Sequence, residues 1–483
     1  MRSLIQRFDS GLLITLILCL FAVLPLIRQA GLPAGYDVLY HTYRVAEMDR
    51  SWQAGILMPR WAESFYFGYG YPVFHYYASS TYYLTSILIF ITGMSAINAL
   101  RCVIVLSLLG GGAGMYLLNR GRWGQVGGIL AGLVYVYSPY ILYTEPYARG
   151  DYPELLAFAW LPWIGWRFEE LSSQQTPKNI LLAALSLGLL VITHNLMAVV
   201  FAGMLSGYLL WLWIVRWVDR RTCLILFAAA GLGMGLAAYF WIPVLLERHD
   251  VQLENLIDVA ELDYRNFFIP LDDLLQPTPR SDSGAINCLI PRYHLGVAAW
   301  TLGLAGLMTL LVGLWRKRSS DFGVTTFFAL VGIAMIFLTI PQGDFVWERA
   351  SILAFLQFPW RFLGPVAVCL SMLAAANAAW LERLPAKLFP FVLSGLCLLP
   401  LGFAIPTFFV PQWDLKQVDT SVAAYQQAEV LGLQRGTTFT GEFLPKTVFV
   451  VPDPNQRLLE DYADGRPVDK IHYEVLPEGV QVD

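Results

Sequence analysis

Charge is what this sequence has least of. Asp, Glu, Lys and Arg make up 14% of its 483 residues, against roughly 25% in an ordinary soluble domain, which excludes a string of soluble domains and a disordered chain alike. It has no basic excess, since 32 Lys and Arg face 36 Asp and Glu for a net charge of −4, and nothing favours nucleic acid as a partner. Cysteine is scarce. Cys19, Cys102, Cys223, Cys369 and Cys397 lie in apolar runs and Cys288 stands alone in a polar loop, which leaves neither a disulfide scaffold nor a CxxC metal site. Walker loops, GxSxG elbows, HExxH helices and internal repeats are missing too.

What is present is 57% hydrophobic residue, arranged in apolar runs of roughly 18 to 23 residues that can each cross a ~30 Å hydrocarbon core. The expected fold is therefore an all-α polytopic membrane protein. About eleven transmembrane helices are expected, near 11–27, 99–118, 127–142, 155–168, 181–193, 195–214, 224–246, 295–315, 322–340, 362–380 and 388–408; the long apolar stretch after Leu181 is divided at His194 and Asn195. The first run follows Arg2 and Arg7 without a small-residue cleavage site, so it is read as an uncleaved span. With the N-terminus cytoplasmic, Arg120 and Arg122, Lys178, Arg216 with Arg220 and Arg221, Arg316 to Arg318, and Arg383 with Lys387 all fall in loops on the inner side, as the positive-inside rule asks. Tyr82 to Ile91 is too short to span and is expected to lie at the outer interface, with Tyr76, Tyr77, Tyr82 and Tyr83 as an aromatic belt.

The outer side then collects the polar segments. Residues 1–410 form the expected membrane domain, with a first exoplasmic loop at about 28–98, and 411–483 an exoplasmic, β-rich appendage that ends abruptly, as a shortened version of a longer protein would. In the first loop Asp37, His41, Arg44 and Met48 share one helical face; Asp37 either begins this helix as its cap or serves chemistry. In the second outer loop Glu145, Arg149, Asp151 and Glu154 stand together, and an arginine there can pair with phosphate or carboxylate. His194 interrupts an apolar run, where an ionisable group is costly. Arg361 sits among aromatics in LQFPWRF. His249 and His294 flank an acidic loop from which a metal site could be assembled, although no ligand spacing marks one. The triple glycine Gly110 to Gly112 with Gly114 suits close helix packing.

Read in order, these strings resemble the bacterial membrane proteins described as 6-pyruvoyl-tetrahydropterin synthase-related. The resemblance is carried by Asp37, His41, Gly55, Pro59, Arg60, Trp61, Gly70 to Pro72 and Phe74 to Tyr77, then by SPYILYTEPYARGDYPE, ITHNL, LQFPWRFL and TTFTGEFLP. That family is similar to the GT-C superfamily of integral membrane glycosyltransferases, which implies interfacial helices in the first exoplasmic loop. It also implies transfer of a sugar from a polyprenyl-phosphate carrier to a glycan, lipid or protein acceptor in the envelope, at the bacterial inner membrane. On this resemblance Asp37 is the general base, His41 orients it or the phosphate, and Arg149 steadies the departing phosphate, while Arg60, Asp151, Glu154, His194 and Arg361 bind lipid phosphate or substrate. The Asp-Glu pair of many GT-C enzymes is reduced here to Asp37 followed by Val38. No cofactor is required by this scheme, and a divalent metal ion has room in it. A non-catalytic transporter of lipid-linked sugar, or an envelope assembly protein, would use the same outer face without breaking a bond.

Overall fold

The structure is a computed structural model that describes residues 9–33, 35–277, 293–316, 320–408, 418–432, 435–448, 473–476 and 479–482. Cys288, Lys317, Arg318, Arg2 and Arg7 lie outside them. Among the described residues, six helices are long and apolar enough to cross a membrane, or up to seven when the pair Arg220–Leu236 and Ala238–Asp250, bent by 71°, counts as one. Three shorter apolar helices, Ser80–Thr92, Pro177–Val191 and Phe389–Ala404, accompany them. The longest helical segment, Ala96–Val136, is two limbs rather than one rod, because Trp123 and Gly124 leave helical geometry. Gly124, at φ 66°, supplies the left-handed turn that an L side chain resists. A Cβ on Gly128 would meet Tyr116 and one on Gly112 would meet Val136 at 2.9 Å, so the limbs lie against each other; of the glycines expected at close packing, Gly111, Gly112 and Gly114 serve that purpose and Gly110 faces open space.

In lipid, packing rather than water exclusion holds helices together, and small residues permit the closest approach. The segment Pro359–Leu381 is 94% buried while the other spans lie between 39% and 61%, which makes it the central rod. Its run Ala374 to Ala376 is fully enclosed, and Gly306 of the helix Val297–Trp315 approaches the Leu373 carbonyl so closely that no Cβ would fit. His194 does divide the long apolar stretch: it caps Asn195–Ile214 through Nδ1, which accepts from the Met197 amide at 3.2 Å.

The first loop folds into the helix Val38–Gln53, a short turn Val73–Tyr76 and the helix Ser80–Thr92. Here the expected aromatic belt is corrected. Tyr82 is fully buried and Tyr76 nearly so, because their hydroxyls find partners inside: Tyr82 meets Arg44 and His41, and Tyr76 donates to the Glu247 carbonyl at 3.1 Å. Phe90 and Ile91 form the outward apolar face instead.

Of the tail expected after 411, residues 449–472 lie outside the described ones. Tyr473–Leu476 and Gly479–Val482 pair as an antiparallel hairpin. Residues 421–432 and 435–446 pack into the first loop. Glu429 accepts from the amides of Tyr66, Phe67 and Gly436 at 2.9, 2.6 and 2.8 Å, and Arg44 donates to both the hydroxyl and the carbonyl of Thr437.

Candidate active site

The chain reaches the site from both sides of a glycine contact. After the second limb, Tyr140–Arg149 winds as a wide helix whose last bond runs from the Gly150 amide to the Glu145 carbonyl at 2.9 Å. Such i to i+5 turns occur mostly as short bulges and are frequent at functional sites. Gly150 has φ 75°, and a Cβ there would stand 2.1 Å from Val38 Cγ2. Only glycine lets the first loop dock, which it does through Asp37 N donating to the Arg149 carbonyl at 2.7 Å. The backbone thereby sets Asp37 beside Arg149.

Arg149 is the hub. Its guanidinium is 2.7 Å from Glu145, 2.9 Å from Glu154, 3.0 Å from Asp151 and 3.7 Å from Asp37, and lies over the Trp360 ring at 4.8 Å from its centroid. Asp151 caps the helix Tyr152–Ser173 by accepting from the Glu154 amide. Glu154 also accepts from Tyr140 at 3.2 Å and stands 3.3 Å from Arg361 Nε. His194 Nε2 lies 3.8 Å from Asp151 and 3.7 Å from Glu154. His41 Nε2 lies 3.6 Å from Asp151, and its Nδ1 is 2.8 Å from the Tyr82 hydroxyl.

Seven of the eight residues expected from sequence thus meet in one cluster. Arg60 does not. It is exposed, donating to His75 Nδ1 at 2.9 Å and to the Tyr239 carbonyl at 3.2 Å, in a separate cleft of about 40 Å³. Glu145, named in the second loop, proves a direct partner of Arg149. Tyr82, Trp360 and Thr437 were not expected as site residues. Tyr82 carried no signal beyond its place in a tyrosine-rich string, and Thr437 lies 393 residues from the Arg44 it bonds.

Asp37 differs from its fellow carboxylates. It opens the helix Val38–Gln53, yet its side chain makes no capping bond, so the capping reading is corrected. Its side chain is 31% exposed, against 0% for Glu145, 6% for Asp151 and 0% for Glu154. Desolvation raises its pKa and the neighbouring Asp151 adds to this, with Arg149 opposing; the outcome is about 6. His41 is pushed down to about 3 by burial and stays neutral. For Asp151 burial acts upward, but Arg149 and the histidines hold it well below the usual carboxylate range. The η nitrogens of Arg149 are committed to carboxylates, which leaves them poorly placed to meet a phosphate.

Asp151, Glu154 and His194 offer ligand atoms within 4.8 Å of one another, so their identity would suit a metal ion. Their bonding does not. A backbone amide can only donate, so His194 Nδ1 accepts the Met197 N–H and the ring proton of the neutral imidazole sits on Nε2, the atom that faces the carboxylates. A metal-ligating histidine has the reverse arrangement, donating from its other nitrogen.

The family of 6-pyruvoyl-tetrahydropterin synthase related domain membrane proteins matches residues 74–405. The chain belongs to this family. No curated protein matches it. Among solved structures, arabinofuranosyltransferase AftD from Mycobacteria is similar at 18% identity and a TM-score of 0.52, covering 83% of this chain and 27% of its own. The Archaeoglobus fulgidus oligosaccharyltransferase AglB, in complex with an inhibitory peptide and a dolichol-phosphate, is similar at 12% and 0.51, covering 90% and 60%. ArnT from Cupriavidus metallidurans, bound to undecaprenyl phosphate, is similar at 13% and 0.50, covering 95% and 87%. This family member therefore has a GT-C fold, and it spans about a quarter of the length of AftD and three fifths of that of AglB.

Proposed function

We propose that the protein is an integral membrane glycosyltransferase that moves a sugar from a polyprenyl-phosphate carrier to a hydroxyl acceptor on the exoplasmic face of the bacterial inner membrane, with inversion. The observation that carries this reading is Asp37: a carboxylate free of capping duty, held beside buried Arg149, and the most exposed of the four around that guanidinium. A pKa near 6 leaves it mostly ionised at neutral pH and basic enough to take a proton in the transition state. The GT-C fold, with undecaprenyl phosphate in the ArnT structure and dolichol-phosphate in that of AglB, supports the donor class.

In the transfer, the acceptor oxygen attacks the anomeric carbon while Asp37 takes its proton. The bond from that carbon to the phosphate oxygen breaks, and polyprenyl phosphate leaves with the electron pair. Arg149 holds Asp37 in place by charge and through the backbone contact at Gly150. His41 and Asp151 complete the enclosure, and Arg361 and His194 keep Glu154 in place behind Arg149.

The test is release of free polyprenyl phosphate from a panel of polyprenyl-phosphate sugars by purified protein in the presence of an envelope extract. Release by wild type and not by Asp37→Asn is expected. Equal release by both would remove Asp37 from the chemistry, and no release from any donor while the lipids still bind would favour a transporter instead.

A further inference from the structure

Four carboxylates converge on one point in this molecule, and a guanidinium stands at that point. Arg149 has Glu145, Asp151, Glu154 and Asp37 within 4 Å of its two η nitrogens, is 5% exposed and is backed by the Trp360 ring. We propose that Arg149 is the resident cation of this cluster: it fills the place a divalent ion would otherwise take, and the wild-type protein binds no divalent metal there. The inference concerns the same site as the proposed transfer but does not depend on it.

Three further observations agree. The oxygens of the metal-like trio are already used, Asp151 Oδ2 and Glu154 Oε2 by Arg149, Asp151 Oδ1 by the Glu154 amide and Glu154 Oε1 by Tyr140. Second, Arg361 Nε lies 3.3 Å from Glu154 Oε2, the oxygen that Arg149 also uses, so a dication in reach of all three ligands would face two guanidiniums, neither of which gives up its proton in a protein. Third, His194 turns its protonated nitrogen inward, because its other one caps a helix, and ligation through Nε2 would cost either that cap or the ring proton. Arg149 carries one charge where a metal would carry two, so taking it away leaves the carboxylates in need of a counter-ion.

Mn2+, followed by electron paramagnetic resonance on the purified full-length protein in detergent, tests this. Wild type is expected to leave the free Mn2+ signal unchanged. Arg149→Gln is expected to gain one bound Mn2+ per chain, held by the vacated carboxylates and not by His194, lost again when Asp151→Asn is added, and to melt at a higher temperature with Mn2+ than without. Arg149→Lys keeps a cation and gains none. One Mn2+ per wild-type chain that Asp151→Asn removes would overturn the inference, as would a folded Arg149→Gln that binds no metal. Should Arg149→Gln fail to fold, the wild-type titration still decides: a bound ion refutes the proposal and an unchanged signal supports it. Because the readout is metal binding, a failed transfer reaction leaves the result intact.

Discussion

Two ion clusters, one half-buried and one buried, lie at opposite ends of the limb that follows Gly124, and they behave differently. At the turn, Arg122 pairs with Glu169 at 2.7 Å, Tyr208 donates to the same carboxylate at 2.5 Å, Asp321 stands 3.9 Å away, and Trp217 lies alongside. At the far end, Arg149 gathers four carboxylates. Both tie together elements distant in sequence and both put an arginine beside an indole. The first has one guanidinium serving two carboxylates from two helices, which is what a staple needs. The second has more carboxylates than two arginines can neutralise, lies where wide helical turns and a glycine contact replace regular helix, and leaves Asp37 open. Buried charge alone does not mark a site. Excess charge of one sign with an accessible member does.

Substitutions can break this contrast. The largest effect on transfer is expected from Asp37→Asn, which removes the base and should lower the rate by about 10²–10⁴-fold with an unchanged melting temperature. Glu169→Gln should leave the residual chemistry alone. The same carboxylate predicts the pH profile. Asp37 accepts a proton only when ionised, so the rate should fall as pH drops through about 6, and this limb should be present in Tyr208→Phe and absent from whatever activity Asp37→Asn retains.

At the staple the order reverses. Arg122→Ala leaves Glu169 without its cation and should cost about 3–5 kcal/mol of stability, read as a lower melting temperature, with no shift of the acid limb in surviving protein. Gly150→Ala falls between the two cases. Its Cβ would collide with Val38 at a backbone angle that favours glycine, so strain of about 1–3 kcal/mol should appear together with loss of transfer, because the contact that sets Asp37 beside Arg149 has to open. The smallest effect is expected at Thr437. Thr437→Val removes one acceptor from Arg44 and keeps the carbonyl, which should cost about 1 kcal/mol and a modest part of the rate, with Thr437→Ser restoring both.

Much of the cluster was legible because its members are neighbours in the chain. Glu145, Arg149, Asp151 and Glu154 lie within one short loop, and Asp37, His41 and Arg44 share a helical face whose period is fixed by the backbone. His194 was legible for another reason, since a polar residue in an apolar run stands out and a helix beginning there needs a cap. Arg60 shows the limit: its string resembled the family as strongly as the others, yet His75 and the Tyr239 carbonyl hold it in a separate cleft. The tyrosines failed differently. Composition assigned them to the interface, while buried partners for their hydroxyls drew Tyr76 and Tyr82 inward.

Hydropathy and spacing were enough to show that the chain is a helical membrane protein and that two of its loops hold most of the clustered ionisable residues, but not how many spans it has, since the expected span 224–246 is broken by a bend of 71°. The first two are properties of local hydropathy, helical period and spacing, and they need no knowledge of neighbours. It took the packed fold to show that Arg149 faces inward among carboxylates instead of outward to a phosphate, that Asp37 is the most exposed of them, and that Thr437 closes on Arg44 from the far end of the chain. Each depends on which surfaces meet, and a guanidinium has the same residue code whether its partner is a substrate or the protein's own acids.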